Sequence, residues 1–317
     1  MTSQATLPIK PFRFGIQAAS QPDRASWVNL AQRAEASGFD VLTMPDHFTD
    51  QLAPVPALMT AADATTTLRV GALVWDNDYK HPVVLAKELA TIDVLSGGRL
   101  EIGLGAGWMI SDYEQSGMTY DRAGVRIDRF IEGLDVIREC MAATSFSYAG
   151  KHYTITNYTG LPKPIQSPCP PILIGGGGKR VLTYAAQHAD IIGINATLTA
   201  GAVGPEAIAT MTAAAVDDKV AIVRQAVGKR ADHIEMNVRA FMVNVNDDAQ
   251  GSIERLATAM HVEASMIAET PFALIGPPSK LIEDLLARRE RWGFSYIIVG
   301  GEDVDSFAPV AAALRGK

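Results

Sequence analysis

Short apolar runs alternate with longer helical stretches along almost the whole chain, and residues 68–108 show the unit most clearly. Leu68–Trp75 (LRVGALVW) is short, apolar and β-rich. HPVVLAKELATIDVLSGGR follows with helical spacing, and LEIGLGAGW is a second short apolar run. Two buried strands joined by a helix predict a parallel pair, because a parallel connection needs a long crossover. The first run leads into Asp76, Asn77, Asp78, Tyr79, Lys80 and His81, the second into Gly103, Gly105, Gly107 and Trp108. Both ends fall at strand C-termini, where parallel α/β folds place their ligand sites.

The same alternation predicts strands at Phe12–Gln17, Phe39–Met44, Pro170–Gly176, Asp190–Asn195, Ile234–Val245 and Ser295–Gly300. Helices are predicted at Arg24–Ser37, Pro56–Ala64, Asp121–Met141, Lys179–Gln187, Gly204–Val227, Ala249–Glu269, Pro278–Arg291 and Val304–Leu314. Gly38 supplies the left-handed residue that stops the first helix. Phe146–Pro164 breaks the pattern with alternating aromatic and small polar residues, which predicts a hairpin-like insertion. Eight strands alternating with helices fit an α/β (β/α)8 TIM barrel with insertions, a single domain over residues 1–317, with a doubly wound open sheet as the rival.

Composition narrows the class. A hydrophobic content of 48% with 20% charged residues is that of a globular protein. The net charge of -7 argues against nucleic-acid binding. Cys140 and Cys169 are too few for a disulfide framework, which points to a reduced, cytoplasmic setting. MTSQATLPIKPFRFG has no apolar leader, and no apolar stretch approaches ~18 residues, so neither secretion nor a membrane span is expected.

The strand ends gather Gln17, Asp46, His47, Phe48, Trp75, Asp76, Asn77, Gly105, Ala106, Gly107, Trp108, Gly175–Gly178, Asn195, Arg239, Gly300 and Gly301 on one mouth. A flat aromatic ligand bearing a phosphate suits such a lining. The strongest signal is IGGGGKR: Gly175, Gly176, Gly177 and Gly178 leave a strand and open a helix whose first residues are Lys179 and Arg180. Glycines let backbone N–H groups approach an oxyanion, and a helix N-terminus adds positive potential. Cations there oppose the macrodipole unless an anion is expected; the alternative is a flexible turn with solvated charges. P-loop and GxGxxG patterns do not fit. His47 suits hydrogen bonding to a reacting carbonyl near neutral pH, with a structural histidine as the alternative. His81 is expected to cap a helix, and Asp93 and Arg99 to pair across the SGG turn. No HxH, HExxH, CxxC or GxSxG spacing points to a metal site or a serine hydrolase.

RFGIQ, AEASGFDVLTMPDHF, LRVGALV, HPVVLAKELATIDVLSGGRLEIGLGAGW, PPILIGGGGKR and AAQHADIIG together resemble the luciferase-like monooxygenase superfamily, and more closely its coenzyme F420-dependent branch. The resemblance implies a (β/α)8 barrel, often a homodimer, that binds a deazaflavin at its mouth. It implies a non-prolyl cis peptide at Leu73–Val74 behind the ring, a phosphate site at Gly175–Gly178, and cofactor contacts from Asp46, Gly105, Ala106, Lys179 and Arg180. His47 would contact substrate, and Gln17, Trp75, Trp108, Asn195 and Arg239 would shape the pocket of a small molecule. The sugar-phosphate dehydrogenases of that branch carry a glutamate where this chain has Ala106, which argues against glucose-6-phosphate oxidation and leaves Tyr79 and Tyr113 as further proton-donor candidates. FMN with O2 is the alternative chemistry, and a non-catalytic cofactor-binding barrel a further one. Met109–Tyr120 and Ala196–Glu206 have the composition of lids.

Overall fold

A computed structural model describes residues 7–142 and 144–317. Residues 1–6, part of the stretch on which the expectation about a leader rests, lie outside the described residues. The barrel strands are β1 (Arg13–Gln17), β2 (Val41–Met44), β3 (Arg69–Ala72), β4 (Trp75–Asp76) and β5 (Leu100–Gly105). An antiparallel hairpin of β6 (Phe146–Ala149) and β7 (Thr154–Tyr158) intervenes before β8 (Ile172–Gly176), β9 (Ile191–Ile194) and β10 (Glu235–Arg239). Then come β11 (Met242–Val245), β12 (Ala273–Gly276) and β13 (Phe294–Gly300). The barrel strands pair in the order β3-β2-β1-β13-β10-β9-β8-β5-β4, every pairing is parallel, and a β3–β5 pairing closes the ring. The protein is a closed (β/α)8 TIM barrel, which sets aside the open sheet.

Around it run α1 (Arg24–Ala36), α2 (Pro54–Asp63), α3 (Pro82–Leu95), α4 (Ile110–Ser116), α5 (Ala123–Ala142) and α6 (Lys179–His188). The second half adds α7 (Pro205–Ala209), α8 (Ala213–Ala226), α9 (Ala249–Met260), α10 (Ala264–Glu269), α11 (Pro278–Trp292) and α12 (Val304–Leu314). Caps account for several boundaries: Asp23 accepts from Ser26 N at the start of α1, and His81 accepts from Val83 N at the start of α3, the capping role expected of it. None of the described helices is long and apolar enough to cross a membrane.

Several sequence expectations change. The predicted helices 204–227 and 249–269 are each two helices, α7 with α8 and α9 with α10. The predicted seventh strand, 234–245, is two strands: β10 stays in the barrel, and β11 leaves it to pair with β12, which the hydrophobic pattern had hidden inside a loop. The third strand is interrupted, β3 and β4 flanking the cis Leu73–Val74 bond. Asp93 and Arg99 do not pair: Asp93 accepts from Gln166 N and Nε2, while Arg99 donates to the carbonyls of Ala62, Leu68 and Ser96. A carbonyl-rich helix end offers a guanidinium more acceptors than one carboxylate does.

The inside of the barrel is filled by Val41, Leu173, Ile191, Tyr296 and Ile298, with half-buried Leu73 and Val74 packed on top of them. At the strand N-termini Arg13 stacks 3.6 Å over the Tyr296 ring and binds Glu101 and Glu235 at 2.5 and 2.7 Å. That ionic plug closes the lower end and reads as stability. Leu73 and Val74 lie toward the C-terminal mouth and are only half-buried.

Candidate active site

The floor of the mouth is an apolar ledge framed by glycines. A Cβ on Gly105 would meet Val74 Cγ2 at 2.6 Å, and one on Gly175 would touch Val74 Cγ1 at 3.5 Å. A side chain at position 105 would therefore crowd the ledge, and one at 175 would rest against it. Gln17 Nε2 donates to Leu73 O at 2.9 Å and holds the ledge from the β1 side. A planar ring suits such a half-buried apolar surface.

The glycine turn after β8 borders the ledge. Gly178 precedes α6 with no side chain capping it, so the first N–H groups of the helix are free to meet a ligand. Gly177 packs so closely on the Asn195 and Ala196 carbonyls that any Cβ would overlap them. Asn195 turns its side chain back on its own loop, accepting from Ala196 N at 2.8 Å, while its carbonyl accepts from buried Lys219. Lys179 and Arg180 are both exposed, and Arg180 pairs with Asp128 and donates to Gly124 O on α5 instead of standing free at the turn. A carboxylate on the neighbouring helix has captured the charge.

His47 follows β2 and is held by a residue that sequence reasoning missed. Its Nδ1 lies 2.6 Å from Oδ2 of Asp112, on α4. Asp112 is 3% exposed and accepts also from Tyr79 Oη at 2.8 Å and Phe48 N at 3.3 Å. A carboxylate at Nδ1 keeps the proton on that nitrogen and leaves Nε2 for a ligand. The Trp108 indole meets the imidazole edge-on at 5.6 Å. Nothing in the local spacing of ISDYE marks Asp112, because its partner is 65 residues away.

Tyr79 gives its proton to Asp112, and the Tyr113 phenol lies between the Asp76 and Asp78 carboxyls, so neither phenol is free to donate to substrate. Burial, then Asp76, pushes both phenols well above the usual tyrosine range. Asp46 accepts from Asp76 N at 3.2 Å, and burial raises its carboxyl. Trp75 is not at the mouth: it is 1% exposed, in the core between barrel and helices, with Lys80 near its ring. Ala106 is partly buried against that core. Arg239 ends β10 with its guanidinium 4.6 Å over Phe241 and donates to Ala240 O. Its buried Nε has no partner among the described residues.

The sequence profile of luciferase-like monooxygenases matches residues 9–296. The chain belongs to this family. It is 29% identical over 187 residues to an FMNH2-dependent dimethylsulfone monooxygenase of Pseudomonas putida, covering 56% of this chain and 51% of that protein. It is equally 29% identical over 174 residues to an F420-dependent glucose-6-phosphate dehydrogenase of Amycolatopsis mediterranei, covering 51% of each. The chain thus spans about half the length of the curated relatives it matches. The coenzyme F420-dependent tetrahydromethanopterin reductase of Methanopyrus kandleri superposes with a TM-score of 0.78 at 17% identity, over 96% of this chain and 100% of that one. This last likeness is one of fold. Relatives in the family are oxidoreductases and monooxygenases, and both cofactor chemistries occur among them.

Proposed function

We propose that the protein is an F420-dependent oxidoreductase that exchanges hydride between the deazaflavin and a small organic substrate, a carbonyl, enone, imine or alcohol. The observation that carries this reading is the Asp112-oriented His47, which follows β2 at the same end of the barrel as the apolar ledge that follows β3. Leu73 and Val74 would carry the ring, Gly105 and Gly175 leave it room, and Gly176–Gly178 with the start of α6 would hold its phosphate. Bound deazaflavin would supply or accept the hydride. His47, with Nδ1 committed to Asp112, presents Nε2 to a substrate oxygen or nitrogen and moves the accompanying proton there. Gln17, Trp108, Asn195 and Arg239 would bound the substrate, and Asp46 and Ala106 the edge of the ring. The DHF and LSGGR patterns support F420 over FMN.

A second reading is favoured by the kinship with an FMNH2-dependent monooxygenase: reduced FMN on the same ledge, with O2 as co-substrate. The two separate in turnover. With F420H2, decay of its absorbance in the presence of a carbonyl, enone and imine panel supports the first reading. Substrate-dependent oxygen consumption with FMNH2, and no oxidation of F420H2, would replace it with the second. A homodimer in a reduced cytoplasm belongs to the same proposal, and the two free cysteines accord with that compartment.

A further inference from the structure

The Tyr113 phenol faces more acceptors than it has protons. Its oxygen lies 3.2 Å from Asp76 Oδ2, 3.4 Å from Asp76 Oδ1 and 3.1 Å from Asp78 Oδ2, and the residue is 1% exposed. A phenol donates one hydrogen. If it serves Asp78, an Asp76 carboxylate is left facing a lone pair in a dry site, which is costly. Asp78 is neutralised by Arg129, whose Nε and Nη2 each bind it at 2.7 Å. Asp76 accepts only from Asp78 N, at 2.8 Å, besides the phenol, and among the described residues no salt bridge reaches it. A proton on Asp76 resolves the conflict: Asp76 donates to Tyr113, Tyr113 to Asp78, and Asp78 receives Arg129.

We propose that Asp76 is a proton-carrying positioning residue: Asp76, Tyr113, Asp78 and Arg129 form one directed chain that pins α4, and with it Asp112, where Asp112 orients His47. Only the last link, the use of His47, rests on the function proposed above. The backbone is built around this contact. Gly107 has φ +71°, and a Cβ there would overlap the Tyr113 oxygen and stand 2.6 Å from Asp76 Oδ2. Charged and titratable groups surround Asp76 on every side. Asp46 stands on the loop after β2, Asp78, Tyr79 and Lys80 on that after β4, Asp112 and Tyr113 on α4, and Asp121, Arg126 and Arg129 at or before α5. Burial, assisted by Asp78 and Asp46, pushes the Asp76 carboxyl up to about 7, against the Asp78 amide and the Tyr113 phenol. Above neutrality the proton leaves to solvent, the chain loses one bond, and the hold on α4 weakens.

The test is an infrared difference titration of the full chain without cofactor, from about pH 5 to about pH 9. Wild type should show a protonated-carboxyl C=O band that disappears near neutrality, and Asp76→Asn should lack it. Asp303, raised by burial to about 6, contributes a band of its own that Asp303→Asn removes separately. Should Asp76→Asn not fold, Tyr113→Phe takes its place and should shift the same band by removing its hydrogen-bond partner. Amide exchange across residues 110–117, corrected for the intrinsic pH dependence, should speed several-fold between about pH 6 and about pH 8 in wild type and stay level in Asp76→Asn. The proposal is overturned if, in an Asp303→Asn background, the carboxyl band that titrates near neutrality persists unchanged after Asp76→Asn, or by wild-type exchange that follows the intrinsic rate throughout. Neither measurement uses F420 or FMN, so failure here is distinct from failure of the functional reading.

Discussion

Replacing Asp112 by Asn separates the catalytic role of this carboxylate from its structural one. Both His47 Nδ1 and Tyr79 Oη point at Oδ2, and Phe48 N points at Oδ1. An amide has one oxygen where the carboxylate has two. Placed toward Phe48, it turns its NH2 on His47 and Tyr79; placed toward them, it sets NH2 against the Phe48 N–H. In either orientation at least one buried donor loses its acceptor, which costs about 1–3 kcal/mol. Relief from burying the charge offsets part of that, so the expected loss of stability is about 1 kcal/mol, or roughly 2 °C in Tm for a chain of this size. Turnover should fall much further. With the NH2 against it, the imidazole must move its proton to Nε2 and can no longer accept there; acid–base contributions of this kind are worth about 10²–10⁴-fold. The bonds of Asp112 do not involve the ledge or the glycine turn, so cofactor affinity should stay within about two-fold by the same reasoning on separate sites. Steady-state kinetics with a cofactor titration and a thermal melt give all three numbers. Turnover within about three-fold of wild type, in a variant whose Tm confirms folding, would refute an essential Asp112–His47 pair.

Other substitutions probe the remaining parts. Gly177→Ala should weaken cofactor binding at least ten-fold, about 1.4 kcal/mol, because its Cβ would overlap the Asn195 and Ala196 carbonyls; isothermal titration measures this. Arg180→Ala should leave cofactor affinity within about two-fold, since the guanidinium is exposed and engaged by Asp128, and an exposed pair of this kind contributes ~0–1 kcal/mol. Asp76 adds a pH dependence to stability. Its carboxyl is raised from 3.8 to about 7, so the folded state binds the proton more tightly than the unfolded one. The stabilisation is full below about pH 4 and is lost as pH rises through about 7, with a ceiling of ~4 kcal/mol at 1.36 kcal/mol per unit. Urea denaturation at about pH 5 and about pH 8 should therefore move in favour of Asp76→Asn relative to wild type at the higher pH.

The barrel was legible because its strands are buried on both faces and so read as unbroken apolar runs, each ended by glycine or polar residues. The glycine turn and His47 stood out for the same reason, lying where those runs stop. The misplacements have local physical causes. Leu73 and Val74 both pack on the interior cluster, so the inside–outside alternation restarts at Trp75 and sends that indole outward. The seventh apolar run looked continuous because β11 is itself a strand, though in another sheet. Arg180 was read by its position at a helix start, whereas its conformation is set by Asp128, 52 residues away. Asp112, and the way Asp76, Tyr113 and Asp78 act together, were not legible for a like reason: their meaning lies in contacts 33 to 65 residues long, which only the folded loops bring together.

The most direct test of the F420 assignment is a paired titration of the apo protein with F420 and FMN, followed by tryptophan fluorescence. Trp27, Trp75 and Trp292 are at most 2% exposed, whereas Trp108 is half-buried at the mouth beside His47, so Trp108 is the reporter and Trp108→Phe the control. Quenching by F420 with a Kd of about 1 μM, some −8 kcal/mol, lost in Trp108→Phe, with FMN binding at least ten-fold weaker, is the expected result. Tighter binding of FMN than of F420 would contradict the deazaflavin assignment.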